Sequence, residues 1–129
     1  MKILVLGGVA AGTKAAAKLL REDRSCEVTV LTKGKDISYA GCGLPYYVGG
    51  VIEDKAQLIV NTPEKYEKLT GAKVLTETEA VAVHPAEHTV EAKDLKTGET
   101  ATYSYDKLVI ATGASPFVPD VPGLNVKNV

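Results

Sequence analysis

An apolar run at Lys2–Leu6, KILVL, leads directly into Gly7-Gly8-Val9-Ala10-Ala11-Gly12 and then into an alanine-rich stretch reaching about Arg21 or Asp23. A short strand without polar alternation is the kind buried on both faces of a parallel sheet. Strand, glycine turn and helix, in that order, form the context in which such a loop binds dinucleotide phosphate. Gly7 permits the tight turn, and Gly12 lets the helix pack close to the strand. The helix start then turns backbone N–H groups and the positive end of its dipole toward a pyrophosphate. The strict pattern has glycine at the third loop position, where this chain has Val9. On the loop alone, a plain strand-to-helix turn stays open.

Residues 27–32, EVTVLT, read as the second strand and close a βαβ start within about 30 residues. A dinucleotide-binding unit usually ends this strand in Asp or Glu, about 20 residues past the loop, to hold the ribose hydroxyls. Thr32 and Lys33 stand there instead. A threonine can hydrogen-bond a hydroxyl, but it lacks the charge of a carboxylate.

Residues 38–50, SYAGCGLPYYVGG, surround Cys42. Glycines on both sides let the backbone bend and approach a ligand. Pro45 suits the first turn of a helix. A helix is expected from Cys42 or Gly43 to about Val48, with the sulfur at its positive end, where a thiolate is favoured. Alone, a cysteine reads more readily as a small buried hydrophobe. The glycines, the proline and the upstream loop make Cys42 the candidate redox centre. Cys26, just ahead of the second strand, is expected to be inert. The two cysteines form neither a CxxC pair nor a zinc pattern, so no metal site is expected. A disulfide between them is not expected in a reducing compartment.

Thr62 as N-cap, Pro63 and Glu64 start a helix that runs to about residue 69. Residues 73–75 form a short third strand. Residues 77–83, 89–95 and 100–105 read as an antiparallel meander with turns at 84–87 and 97–99. His84 and His88 flank the first turn with no third ligand or nucleophile nearby, and are expected as solvated turn residues. Residues 107–111, KLVIA, are a second fully apolar strand running into Thr112-Gly113. The tail, 115–129, carries Pro116, Pro119 and Pro122 and reads as an extended connector, so the chain looks cut.

The length of 129 residues fits one domain, and 45% apolar with 24% charged residues is ordinary for a globular chain. A net charge of −1, from 15 basic and 16 acidic residues, gives no pointer to nucleic acid or to an anionic membrane. No apolar run nears the ~20 residues of a membrane span. The apolar run at 3–6 is followed by the glycine loop rather than by a cleavage site. A cytoplasmic protein is expected.

Four stretches together resemble the FAD-dependent pyridine nucleotide-disulfide oxidoreductases: GGVAAG, SYAGCGLPYYVGG, TPE at 62–64, and LVIATGASP near the end. The nearest branch is the single-cysteine one, which contains coenzyme A-disulfide reductases, NADH oxidases and NADH peroxidases. Where dithiol members carry a second cysteine, this chain has Tyr47. Cys42 would therefore cycle as a mixed disulfide, a persulfide or a sulfenic acid. The resemblance implies an α/β, Rossmann-like FAD-binding domain, a parallel sheet with an antiparallel β-meander, present here incompletely. Residues 1–114 would be its first segment, and 115–129 a connector toward a nicotinamide-binding domain.

The resemblance further implies FAD with its pyrophosphate on Gly7, Gly8, Val9, Ala10, Ala11 and Gly12. Thr32, Lys33, Ala111, Thr112 and Gly113 would add contacts, and the flavin ring would lie beside Cys42. Electrons would come from NAD(P)H and leave to a coenzyme A disulfide, a persulfide, a peroxide or oxygen. The full-length protein would be a homodimer. Lys14, Lys18 and Arg21, spaced i, i+4, i+7, share one helical face opposite Gly12, Ala16 and Leu19. The pattern alone reads as a solvated face. The resemblance implies phosphate contacts to coenzyme A there, with Ser38 and Gly41 nearer the thiol. Two other classes stay open. One is an NAD-dependent dehydrogenase domain, which would have no use for the Cys42 stretch. The other is a non-catalytic nucleotide-binding module.

Overall fold

The computed structural model describes residues 1–124. Its centre is a four-stranded parallel sheet built from β1 (Lys2–Leu6), β2 (Glu27–Leu31), β5 (Lys73–Leu75) and β9 (Lys107–Ile110), in the order β5-β2-β1-β9. β1 is an inner strand in full register with β2, from Lys2 opposite Glu27 to Leu6 opposite Leu31. Such a strand must be apolar on both faces, and Ile3, Leu4, Val5 and Leu6 are all buried.

The two faces have different covers. Ile3, Val5, Val28 and Val30 pack with Ala16 and Leu20 of helix α1 (Ala11–Glu22) and Tyr66 of helix α3 (Pro63–Thr70). Leu4, Leu6 and Leu31 pack instead on Val90 and Ala92 of an antiparallel meander. That meander is β6 (Thr78–His84), β7 (Thr89–Asp94) and β8 (Thr100–Ser104). The result is three layers: helices, parallel sheet, meander.

The expected elements are present with small shifts at their ends. The second strand stops at Leu31, although Thr32 stays tied on both sides, its N–H to the Leu75 carbonyl at 2.9 Å and its carbonyl to the Thr78 N–H at 3.0 Å. The meander begins at Thr78 because Glu77 takes φ 51, which breaks the extended path. The α-helix expected from Cys42 or Gly43 begins instead at Leu44. A 3-10 turn, Gly41–Gly43, carries Cys42 into helix α2 (Leu44–Val48). A two-stranded antiparallel sheet, β3 (Ile37–Tyr39) with β4 (Ile59–Asn61), was not foreseen; each strand has three residues, too short for a readable pattern.

His84 and His88 are less free than turn residues. The His84 ring lies 3.2 Å from Glu91, and the His88 ring stacks on Tyr105 with centroids 5.5 Å apart. The proline-rich segment has no regular strand or helix through Val121 and is exposed. Its last part, 125–129, lies outside the described residues.

Helix α3 shows how local chemistry sets the frame. The Thr62 hydroxyl accepts from the Lys65 N–H at 3.3 Å, Pro63 opens the first turn, and Gly71 ends the helix at φ 84. The buried Tyr66 hydroxyl then donates to the Thr13 carbonyl on α1, joining the two helices. Removing that hydroxyl breaks this hydrogen bond between the two helices. Tyr66→Phe is therefore expected to cost about 1–2 kcal/mol, read as a lower urea midpoint. An unchanged midpoint would mean the hydroxyl does not tie the helices together.

Candidate functional site

The carboxyl ends of β1, β2 and β9 open on one cleft of about 700 Å³. In strand order the chain leaves β1 toward β2 on one side and returns as β9 on the other. Ligands of open α/β sheets bind at such a reversal, outside the carboxyl ends of the strands. Gly7 to Ala11, Thr32, Lys33 and residues 111–113 all line the cleft. The sequence-derived cofactor residues thus converge on a single site, with Gly12 just beneath it.

Two close approaches build the cleft floor. A Cβ on Gly12 would lie 1.8 Å from the Gly7 carbonyl oxygen, so α1 can start where it does only with glycine there. Gly7 has φ 112, and a Cβ on it would lie 2.1 Å from the Ala111 carbonyl oxygen. The α1 start carries no side-chain cap and no acidic residue in its first turn. Its leading N–H groups are left for a ligand, and the dipole favours an anion there. Val9 in place of the patterned glycine causes no crowding; it is exposed at the cleft mouth.

The cysteine-bearing stretch is fastened to this loop. The Ser38 N–H donates to the Gly8 carbonyl at 2.9 Å, and Ser38 itself sits at φ 50. Ala40 donates to the Leu58 carbonyl at 2.8 Å, and Gly43 closes the turn onto the Ala40 carbonyl at 2.9 Å. A side chain at Gly43 would collide with Leu58, since its Cβ would lie 2.6 Å from Cδ2. These ties hold Cys42 exposed between two glycines.

Cys26 is the opposite case. It is buried, and its thiol lies 3.4 Å from the Asp23 carboxylate. Burial pushes the Cys26 thiol pKa up, and the Asp23 carboxylate beside it adds to the rise. Both cysteines are free thiols.

Lys14, Lys18 and Arg21 are exposed and do not line the main cleft. Lys18 pairs with Glu22 on the next turn. Arg21 lines a second cleft of about 380 Å³ with Arg24 and Lys68. Gly41 sits at the start of the cysteine turn, with nothing within 4 Å of where a Cβ would be.

The sequence reading missed Gly34, Thr78, Glu79 and Ala80, which also line the main cleft. Only the packing of the meander on the sheet brings β6 there, and no local signal announces it. Among the described residues, no group of three or more His, Cys, Asp or Glu is arranged to hold a metal. No helix among them is long and apolar enough to cross a membrane.

The whole sequence, residues 1–129, matches the family described as pyridine nucleotide-disulphide oxidoreductase. The chain is 41% identical over 129 residues to an NADH oxidase of Enterococcus faecalis (strain ATCC 700802 / V583), covering 100% of this chain and 29% of that protein. It is 39% identical over 114 residues to a coenzyme A disulfide reductase of Staphylococcus aureus (strain JH9), covering 88% of this chain and 26% of that one. Among solved structures, an NAD-dependent persulfide reductase from A. fulgidus superimposes with a TM-score of 0.91 at 39% identity, over 98% of this chain and 24% of that chain. The chain thus spans less than a third of the length of each of these relatives.

The two thiols should differ sharply in access. An alkylating reagent added to the folded protein is expected to modify Cys42 and to spare Cys26 until denaturant is added, as read by peptide mass spectrometry. Equal labelling of both before unfolding would contradict the burial of Cys26.

Proposed function

The chain belongs to the pyridine nucleotide-disulphide oxidoreductase family, and from that membership we propose that it is the first part of the FAD-binding domain of a single-cysteine flavoenzyme. That enzyme takes electrons from NAD(P)H and delivers them through Cys42 to a disulfide, a persulfide, a peroxide or oxygen. The observation that carries this reading is the Ser38 to Gly8 hydrogen bond of 2.9 Å, which ties the thiol-bearing segment to the rim of the cleft.

The residues present fit a dinucleotide. The cradle at Gly7 and Gly12 is one that a Cβ would fill, and the uncapped start of α1 offers its N–H groups to a pyrophosphate. Gly7 to Gly12 would hold the pyrophosphate, Thr32 and Lys33 the adenosine end, and Ala111 to Gly113 the opposite wall. Bound there, FAD supplies a two-electron relay between a nicotinamide and a thiol.

The chain's own part is to present a lone, exposed thiol. Attack by the Cys42 thiolate on a substrate disulfide forms a mixed disulfide and expels one thiolate. Two electrons delivered to that mixed disulfide restore the Cys42 thiolate and release the second thiolate. Tyr47 leaves no nearby cysteine to intercept the mixed disulfide, and buried Cys26 is no substitute. Residues 115–129 would lead toward the nicotinamide-binding domain. The exposed Ile110, at the end of edge strand β9, would pack against the remainder of the FAD domain.

The cations on and beside α1 support a phosphorylated substrate such as coenzyme A. Arg21, Arg24 and Lys68 converge on the second cleft, Lys14 makes no ion pair among the described residues, and Ser38 and Gly41 would lie nearer the thiol.

Two experiments on the full-length protein test this reading. Cys42→Ser is expected to abolish disulfide or peroxide reduction while flavin reduction by the nicotinamide cofactor persists. If Cys26→Ser is the damaging change instead, the assignment of the thiol is wrong. Neutralising Lys18 and Arg21 together is expected to raise KM for a coenzyme A substrate about tenfold, with little change for a small uncharged disulfide. Equal effects on both substrates would return this helix face to solvent.

A further inference from the structure

Among the described residues, the main cleft has one acidic side chain along its walls, and it does not come from β2. A dinucleotide-binding unit usually ends β2 in a carboxylate that holds the adenosine ribose, and this chain has Thr32 at that place. Thr32 is buried against the glycine loop. A Cβ on Gly8 would lie 2.8 Å from the Thr32 Cβ and 3.1 Å from its hydroxyl oxygen, so the two residues are packed as a matched small pair. The Thr32 side chain therefore serves as part of the cleft wall.

Glu79 supplies the missing charge from another element. The Thr78 N–H donates to the Thr32 carbonyl at 3.0 Å, which sets the start of β6 directly beside the end of β2. The next residue, Glu79, reaches the cleft that Thr32 and Lys33 also line. Its Oε1 accepts from Lys33 Nζ at 2.7 Å, while Oε2 has no partner among the described residues. An ion pair this open to solvent contributes little to folding. It does fix the direction of the carboxylate and leaves one oxygen free to accept from hydroxyls.

We propose that Glu79 is the ribose-binding carboxylate of this cleft, accepting hydrogen bonds from the adenosine hydroxyls of the dinucleotide, with Lys33 as its positioning residue. The proposal rests on the dinucleotide reading of the cleft. It transfers a role that usually belongs to the end of β2 onto the first strand of the meander, about a third of the chain away in sequence but adjacent in space. Glu79 lines the same cleft as Thr32 and Lys33.

The test uses the full-length protein stripped of flavin and titrated with FAD or with FAD lacking the adenosine 2′-hydroxyl, with binding read from flavin fluorescence. The native protein is expected to prefer FAD over the deoxy analogue by about tenfold, the loss of one charge-assisted hydrogen bond. Glu79→Gln should bring the two ligands to within about twofold of each other. Lys33→Met, which removes the group that aims the carboxylate, should lower the preference part-way, and circular dichroism should report the same fold for both variants. A Glu79→Gln protein that keeps the native preference would overturn the proposal, as would a Lys33→Met protein whose preference is unchanged. A native protein that binds neither flavin would overturn the dinucleotide reading itself, a failure distinct from an FAD-binding protein in which Glu79 proves indifferent.

Discussion

The approach of α1 to β1 at Gly12 and Gly7 is the contact on which the remaining geometry depends. With the place of a Gly12 Cβ only 1.8 Å from the Gly7 carbonyl oxygen, the helix starts directly above the end of the strand. That start points its unsatisfied N–H groups across the carboxyl ends of β1 and β9. Gly7 is held in turn against the Ala111 carbonyl, so the first and last strands meet at the same point. Gly8 then presents its carbonyl to Ser38. One tight turn therefore fixes the helix, the closing strand and the segment that bears the thiol.

The parallel sheet is the support for that turn, and its two covers do different work. Helices α1 and α3 bury Ile3, Val5, Val28 and Val30 on one face and supply the bulk of the apolar packing. The meander buries Leu4, Leu6 and Leu31 on the other. It also carries β6 to the lip of the cleft through the Thr78 to Thr32 hydrogen bond. The second cover thus adds wall and charge to a site whose floor is made by the first βαβ unit.

Much of the fold could be read from residues because burial on both faces leaves a plain mark. β1 is a continuous apolar run from Ile3 to Leu6, β9 carries Leu108, Val109 and Ile110 in a row, β2 is apolar at Val28, Val30 and Leu31, and α3 announces itself through Thr62, Pro63 and Glu64. The paired strands β3 and β4 left no such mark, since three residues each are too few for alternation to appear. The start of α2 was read slightly early because Cys42 lies in a 3-10 turn, whose composition resembles a helix start. Of the cleft lining, the glycine loop was legible in the sequence because its turn chemistry is local. Glu79 was not, because its meeting with Lys33 joins residues 46 positions apart and depends on how the meander lies on the sheet.

In the proposed reading, the glycine turn and the cysteine turn serve one bound dinucleotide. A crystal structure of the flavin-loaded full-length protein measures this most directly. The pyrophosphate is expected within hydrogen-bond distance of N–H groups between Gly7 and Gly12, with the flavin ring against Cys42 Sγ. A flavin whose pyrophosphate lies away from that loop, or whose ring is remote from Cys42, would contradict it.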